Sequence, residues 1–356
     1  MTATTVRNLP ATNRHDNTCT CGHCAQPAPK RKTSRLEYLG DLSQKDKAWD
    51  EHRLWADKMQ PVLEQAGLAR QAVRVRDCGQ SLFYALVVNQ QTGEITLKLH
   101  NADLCHWRHC PICQWRRMLA NLARLNVALP EILEQYPTAR WAMLTLTVRN
   151  PSISELRQTL VDMNKGWKRL IERKAWPALG WIRATEVTRA EDGAAHPHFH
   201  CLMLVPASYF SGQAYIPTRE WVQLWRQAMR LDYDPICDIR QVKAKPGREV
   251  PGSAAEAAMI DAVRGGGVRE VLKYATKTAD LLSGGPEWLA EYVGQVHGLK
   301  FVASGGILKG ILKDRDDGQE DLVHVGEGDD EDSGKGPSLR FDWRPSKKRY
   351  ARKRSV

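Results

Sequence analysis

Between residues 141 and 285 the chain alternates between two hydrophobic spacings. Trp141-Ala142-Met143-Leu144-Thr145-Leu146-Thr147-Val148 is an apolar run of strand length. A helix is predicted from about Ser152, where Ser152-Ile153-Ser154-Glu155 forms a capping box. Leu156, Leu160, Met163, Trp167, Leu170 and Ile171 give it one apolar stripe, which reads as a core face. A second strand runs from about Leu179 to Thr188 into the turn Glu191-Asp192-Gly193. The next strand opens on His196-Pro197-His198-Phe199-His200 and ends in Cys201-Leu202-Met203-Leu204-Val205. Thr218 starts a second amphipathic helix through Trp221, Leu224, Trp225, Ala228 and Met229, and Ile236 to Val242 alternates as a fourth strand. Ser253-Ala254-Ala255-Glu256 caps a further helix, and Val268 to Lys277 is helical after the break Gly265-Gly266-Gly267. Past Pro286 the pattern decays.

Upstream, residues 1–30 are polar and rich in Pro, Ala and Thr, which predicts a mobile tail. From Lys30 to about Arg76 the chain is charged and helical in character, with Trp49, Leu54 and Trp55 as packing residues. Residues 81–100 read as a hairpin around Gln91-Thr92-Gly93-Glu94, and Gln114 to Tyr136 as a helix with Leu119, Leu122 and Leu125 along one side. Hairpins with interspersed helices argue for an α+β fold.

Composition narrows the partner. The 356 residues carry 52 Lys+Arg against 41 Asp+Glu, a net charge of +11, which suits a polyanion such as nucleic acid. No run of 18 apolar residues is present and the N-terminus has no apolar stretch fit for secretion, so no membrane partner is expected. Nine cysteines, an odd number, point to metal sites in a reducing cytoplasm rather than to disulfides. There is no P-loop, hence no motor of its own. The acidic stretch 314–333 and the basic stretch from Arg340 to Arg354 both read as tail.

Seven of the nine cysteines fall into two groups. Cys78 precedes the predicted hairpin, while Cys105, Cys110 and Cys113 follow it. A hairpin brings its ends together, so four thiolates can close a tetrahedral structural zinc site, with His100, His106 and His109 as alternative ligands. Cys19, Cys21 and Cys24 form either an accessory metal clip or exposed thiols in a tail. Trp115, Arg116 and Arg117 open the next helix, where an aromatic and two arginines either touch a DNA backbone or pack.

Side chains alternate along a strand, so His198 and His200 share a face and make two adjacent metal-ligand positions. Glu186 precedes the Glu191-Asp192-Gly193 turn and can pair across the hairpin as a third, carboxylate ligand; His196 is the rival. Such a mixed site suits Mn²⁺ or Mg²⁺ in use. Glu270, Tyr274 and Lys277 are spaced i, i+4, i+7 and share one helix face, which suits phosphoryl chemistry on the tyrosine or is an ordinary solvated ladder.

Taken in order, Leu144-Thr145-Leu146-Thr147, His196-Pro197-His198-Phe199-His200 and Glu270-x-x-Lys273-Tyr274-x-x-Lys277 resemble the three motifs of the HUH endonucleases, and more narrowly those of replication initiators of small rolling-circle plasmids. Asp103 to Arg117 resembles the cysteine-rich segment that precedes them in this family. The resemblance covers roughly residues 70 to 285. It implies a central antiparallel sheet of RRM-like or ferredoxin-like kind with helices packed on it, preceded by a small zinc-binding subdomain. On that basis we expect a tail at 1–30, a helical, cysteine-rich subdomain at 31–136, the endonuclease domain at 137–285, and an acidic linker with a basic tail at 286–356.

The implied activity is metal-dependent nicking and joining of origin DNA, single-stranded or hairpin-extruded. It runs through a 5′-phosphotyrosine on Tyr274, with Lys277 near the phosphate and Thr145 and Thr147 on DNA. In this family a glutamate one turn before the tyrosine activates water for the terminating cleavage, and Glu270 holds that position. No second tyrosine lies near Tyr274; the next is Tyr292, which argues against two-tyrosine initiators. A host helicase and polymerase, and a bacterial cytoplasmic location, follow from the same resemblance. The alternatives are a single-tyrosine transposase or relaxase, and a zinc-stabilised DNA-binding regulator without catalysis. Oligomeric state is not legible in the sequence.

Overall fold

The predicted alternation folds into two antiparallel sheets, where one central sheet was expected. The computed structural model describes residues 35–88, 93, 95–212, 214–242, 272, 278–312, 322–325 and 338–354. Cys19, Cys21, Cys24, the helix expected from Ser253, and Glu270, Tyr274 and Lys277 lie outside the described residues. The chain divides into a large unit, Tyr38–Arg352, and a small one made of its two ends, 1–37 with 353–356. Strand β1 (Arg35–Tyr38) starts in the small unit, and α1 (Leu39–Leu42) follows in the large one.

The first sheet of the large unit grows from the predicted hairpin. Strands β2 (Ser81–Val88) and β3 (Ile95–Ala102) pair antiparallel, with Leu82 opposite Ala102. Helices α2 (Ala48–Gln65) and α3 (Ala69–Asp77) precede them, and Trp49 is fully buried. Beyond β2 lie β9 (Ser338–Arg344) and β10 (Arg349–Arg354), in the order β10-β9-β2-β3. This corrects the reading of the basic C-terminal stretch as a tail. Its charges hide a period-two pattern: in Leu339-Arg340-Phe341-Asp342-Trp343-Arg344 the apolar residues turn inward and the charged ones outward, and Phe341 and Tyr350 are fully buried.

The second sheet carries the histidines. Strands β4 (Arg140–Thr147), β5 (Gly180–Arg189), β6 (Ala195–Val205), β7 (Cys237–Gln241) and β8 (Val302–Gly306) are arranged β7-β4-β6-β5-β8. β6 is central and buried on both faces, which explains its continuous apolar run. On one face Phe199, Cys201 and Met203 join the cluster formed by α5 (Leu156–Ile171) and α6 (Thr218–Met229). Gly166 sets how closely those helices pack, because a Cβ there would stand 2.2 Å from Met229 Sδ. The Ser152–Glu155 capping box is present as predicted.

On the other face Leu202 and Leu204 lie in a cluster with Leu122, Leu125, Leu129 and Ile132 of α4 (Pro111–Gln135). The β5–β6 turn uses Gly193 at φ +86°, a conformation that favours glycine, and Trp288 Nε1 donates to the Gly193 carbonyl at 3.0 Å. The pattern does not decay past Pro286 either. Pro286 begins α8 (Gly285–Gln295), after the short α7 (Thr278–Ser283), because a proline costs no hydrogen bond in a first helical turn. Among the described residues no helix is long and apolar enough to cross a membrane.

Candidate metal centres

Two groups of metal-ligating side chains converge, and both were predicted. The first unites the two ends of the β2–β3 hairpin. Cys78 ends α3, Cys105 lies in the loop after β3, and Cys110 and Cys113 flank the first turn of α4. Their ligand atoms all lie within 4.8 Å of one another. Cys113 Sγ stands 3.6 Å from Cys78 Sγ and 3.8 Å from Cys105 Sγ. A tetrahedron of thiolates on bonds of about 2.3 Å has edges of about 3.8 Å, so the four sulfurs fit one ion and leave no open position. Hydrogen bonds from Cys110, Cys113 and Cys78 hold the Cys105 thiol far below its ordinary range, while burial pushes Cys110 up. None of the three candidate histidines belongs to the group. His109 is buried between Trp107 and Tyr292, and burial drops its pKa to about 3.

Several residues that the sequence did not single out hold this cluster. Arg53, buried in α2, donates to the carbonyls of Val75 (3.1 Å) and Cys78 (2.5 Å), and Arg74 donates to that of Cys105. Tyr350 of the C-terminal hairpin donates to the Gly79 carbonyl at 2.5 Å. Trp115 and Arg116 are a correction. Trp115 is buried edge-on to Trp49 at 4.9 Å and stacked with His52 at 4.6 Å. Arg116 is equally buried and donates to the carbonyls of Leu322 (2.6 Å) and Val323 (2.9 Å). Arg117 donates to His106 O at 2.8 Å. A side chain needed to hold the fold in this way is withdrawn from DNA, so the first two serve packing.

The second group forms on β5 and β6. Glu186 lies directly opposite His198, and opposite residues of an antiparallel pair share a face. His200 Nε2 is 3.1 Å from His198 Nε2 and 3.1 Å from Glu186 Oε2, and the third edge, His198 to Glu186, is 3.4 Å. An ion about 2.0–2.2 Å from each of three donors spans edges of about 3–3.5 Å, so this triangle is one face of a coordination shell with the remaining positions open. Burial alone would raise the Glu186 carboxyl, but hydrogen bonds and charge from His198 and His200 hold it well below the usual carboxylate range. It is therefore a ready anionic ligand.

The backs of both rings are engaged. His198 Nδ1 donates to the His196 carbonyl at 3.2 Å, and His200 Nδ1 faces Thr145 Oγ1 at 3.2 Å. With Nδ1 committed, each ring presents Nε2 to the shared point. Thr145 was expected on DNA but lies opposite His200 on β4 instead. Thr147, opposite His198, is buried and donates its hydroxyl to Ile236 O at 2.9 Å. His196 stays outside the triangle, its Nδ1 3.4 Å from Thr188 Oγ1. The alternative tyrosine, Tyr292, is fully buried and stacked on Trp288 at 5.4 Å. A residue so enclosed cannot reach a DNA phosphate in this fold.

Comparison with known proteins fixes the family. The profile of the replication protein family matches residues 96–351, a span that takes in both centres except Cys78 and runs through the C-terminal hairpin. A "Protein rep" of Bacillus amyloliquefaciens is 34% identical over 297 residues, covering 79% of this chain and 84% of that protein. One from Lactiplantibacillus plantarum is 33% identical over 272 residues, 73% of this chain and 80% of its own. One from Streptococcus pneumoniae serotype 2 is 29% identical over 317 residues, 86% and 92%. No solved structure matches the chain. With its family profile and its relatives in agreement over most of its length, the chain belongs to the replication protein family.

Proposed function

We propose that the protein initiates plasmid rolling-circle replication by nicking origin DNA and later rejoining it through a 5′-phosphotyrosine. The observation that carries this reading is the Glu186–His198–His200 triangle, three convergent ligand atoms in a chain of the replication protein family. A DNA-binding regulator has no use for such a site. A single-tyrosine transposase or relaxase would share the chemistry, but the relatives' names favour replication. A divalent cation, Mn²⁺ or Mg²⁺, would be held by those three residues and would supply charge neutralisation at the scissile phosphate. The four cysteines would hold Zn²⁺ as a structural ion.

Tyr274 is the proposed nucleophile. Leu272, two residues before it, is buried in the cluster that contains Ala184, and Ala184 lies opposite His200. Leu272 thus packs on the face of the sheet that carries the triad, which supports choosing the tyrosine two residues on in the sequence. The Tyr274 oxygen attacks phosphorus and gives up its proton; the phosphorus–oxygen bond to the 3′ carbon breaks, and the leaving 3′ oxygen gains a proton. The phosphodiester becomes a phosphotyrosine ester of similar energy, so the step reverses without a nucleotide cofactor. Lys277 lends positive charge, and Glu270 takes the proton from the water that terminates the cycle. The 3′-OH primes a host polymerase, and a host helicase opens the duplex.

Nicking of supercoiled origin plasmid in Mn²⁺ tests the reading. The wild type should give open circles. The double variant His198→Ala/His200→Ala should give none while keeping its thermal transition. Nicking at the wild-type rate by that variant would refute the assignment.

A further inference from the structure

A cleft of about 450 Å³ opens where β4 ends against α5 and the C-terminus of α6. Its lining includes Arg149, Lys165, Arg169 and Arg230 against a single carboxylate, Asp162, together with Tyr233. Lys165 pairs with Asp162 at 3.1 Å, and Arg169 donates to Ala228 O at 2.6 Å. The exposed Arg230 guanidinium, carried by a left-handed residue at φ +62°, has no side-chain partner among the described residues. The Arg149 guanidinium lies 4.3 Å from the Tyr233 ring centroid, and the Arg149 amide donates to the Tyr233 hydroxyl at 2.7 Å. Val148 and Leu231 add apolar lining.

Cations in excess of carboxylates around an aromatic platform suit a phosphate and its base. The volume is that of a small-molecule site and too small for a duplex. Position supplies the rest. Thr147 lies opposite His198, and Arg149 follows only two residues later, so its Cα is within about 7.6 Å of that of Thr147. The helices that line the cleft pack on the face of the sheet opposite the triad, so a strand whose phosphate sits on the metal triad reaches the cleft round the end of β4.

We propose that this cleft grips one nucleotide of single-stranded DNA, with its phosphate against Arg149 and Arg230 and its base against Tyr233, round the end of β4 from the metal triad. The proposal rests on the DNA-nicking reading for its purpose, but its test does not require cleavage. Binding of a fluorescent oligo-dT is measured by anisotropy without added Mg²⁺ or Mn²⁺, across a salt series. Arg149→Ala/Arg230→Ala should weaken binding at least tenfold and flatten the log–log salt slope by about 1.4, about 0.7 for each lost single-strand phosphate contact. Tyr233→Ala should cost roughly 5- to 150-fold, the range for one stacked base, and Tyr233→Phe should recover most of it.

Unchanged affinity and slope in the double arginine variant would overturn the proposal. So would an equal loss on a duplex of the same length, which would indicate a general surface charge. Preserved melting of the variants by circular dichroism excludes misfolding as the cause. If wild-type protein binds through the cleft yet never nicks, the nicking reading fails and the cleft stands. If it nicks while the variants bind as well as wild type, the reverse holds.

Discussion

His200 Nδ1 faces Thr145 Oγ1 at 3.2 Å across the β4–β6 pair, while its Nε2 stands 3.1 Å from Glu186. One ring is thus fixed from behind by a neighbouring strand and offered forward to a shared point. Thr145 thus stands behind a ligand of the candidate metal site as its support.

Thr145→Val keeps the shape and removes the hydroxyl. The ring then loses the partner that fixes its tautomer and tilt, and metal affinity should fall about 10- to 100-fold. In a Mn²⁺ titration of nicking, the variant should need correspondingly more metal and still approach the wild-type rate at saturation. Thr145→Ser should restore the affinity. A rate defect that added metal cannot repair would place Thr145 on the DNA instead.

The cysteine cluster should hold about one tightly bound zinc per chain, measured by elemental analysis on protein never exposed to chelator. Cys113→Ser should lose it and melt at much lower temperature, since such a site supplies on the order of 10 kcal/mol of apparent binding free energy. Cys201→Ala should keep its zinc, because Cys201 is buried in the core away from the cluster. Zinc retained in Cys113→Ser would count against the site.

The C-terminal hairpin should be part of the folding unit. Phe341 is fully buried, opposite Leu82 of β2, and Phe341→Ala should cost about 3–5 kcal/mol in denaturant unfolding. A loss below 1 kcal/mol would show that the hairpin is dispensable.

His52 gives a pH signature. Burial lowers its pKa to about 4 where it stacks on Trp115. The unfolded chain binds a proton there near pH 6.5 and the folded chain only near 4, so between them the unfolded state holds more protons. Stability must therefore fall as pH drops through this window, by roughly 1–3 kcal/mol from this group. His52→Phe should flatten that part of the stability profile. An equally steep fall in the variant would assign the effect elsewhere.

Much of this architecture was legible. Period-two and period-3.6 spacing located β4, β5, β6, α5 and α6, because each buries one face or both against a partner. The cysteine and histidine centres were legible because hairpin pairing converts sequence spacing into proximity: Cys78 meets Cys105, and Glu186 meets His198. The supporting roles were not. Thr145 reads as an ordinary strand threonine until the β4–β6 register puts it opposite His200. For Trp115 and Arg116 the sequence left DNA contact and packing open, because an arginine beside a tryptophan carries no mark of burial; the Leu322 and Val323 carbonyls show what Arg116 holds, and Trp49 and His52 what Trp115 packs on. The hairpin at the C-terminus was hidden by charge, since five of the residues from Arg349 to Arg354 are not apolar or are small, and only Tyr350 is large and buried. That hairpin widens the sheet begun by β2 and β3, with β9 pairing along β2.

In the proposed mechanism one tyrosine, Tyr274, carries the DNA. A direct test is to trap the covalent adduct with Mn²⁺ on an origin oligonucleotide labelled on the 3′ side of the nick, digest, and map the modified peptide by mass spectrometry. The account predicts a phosphodeoxynucleotide on Tyr274 in the wild-type protein and no adduct in Tyr274→Phe. An adduct persisting in Tyr274→Phe, or mapping to another residue, would contradict it.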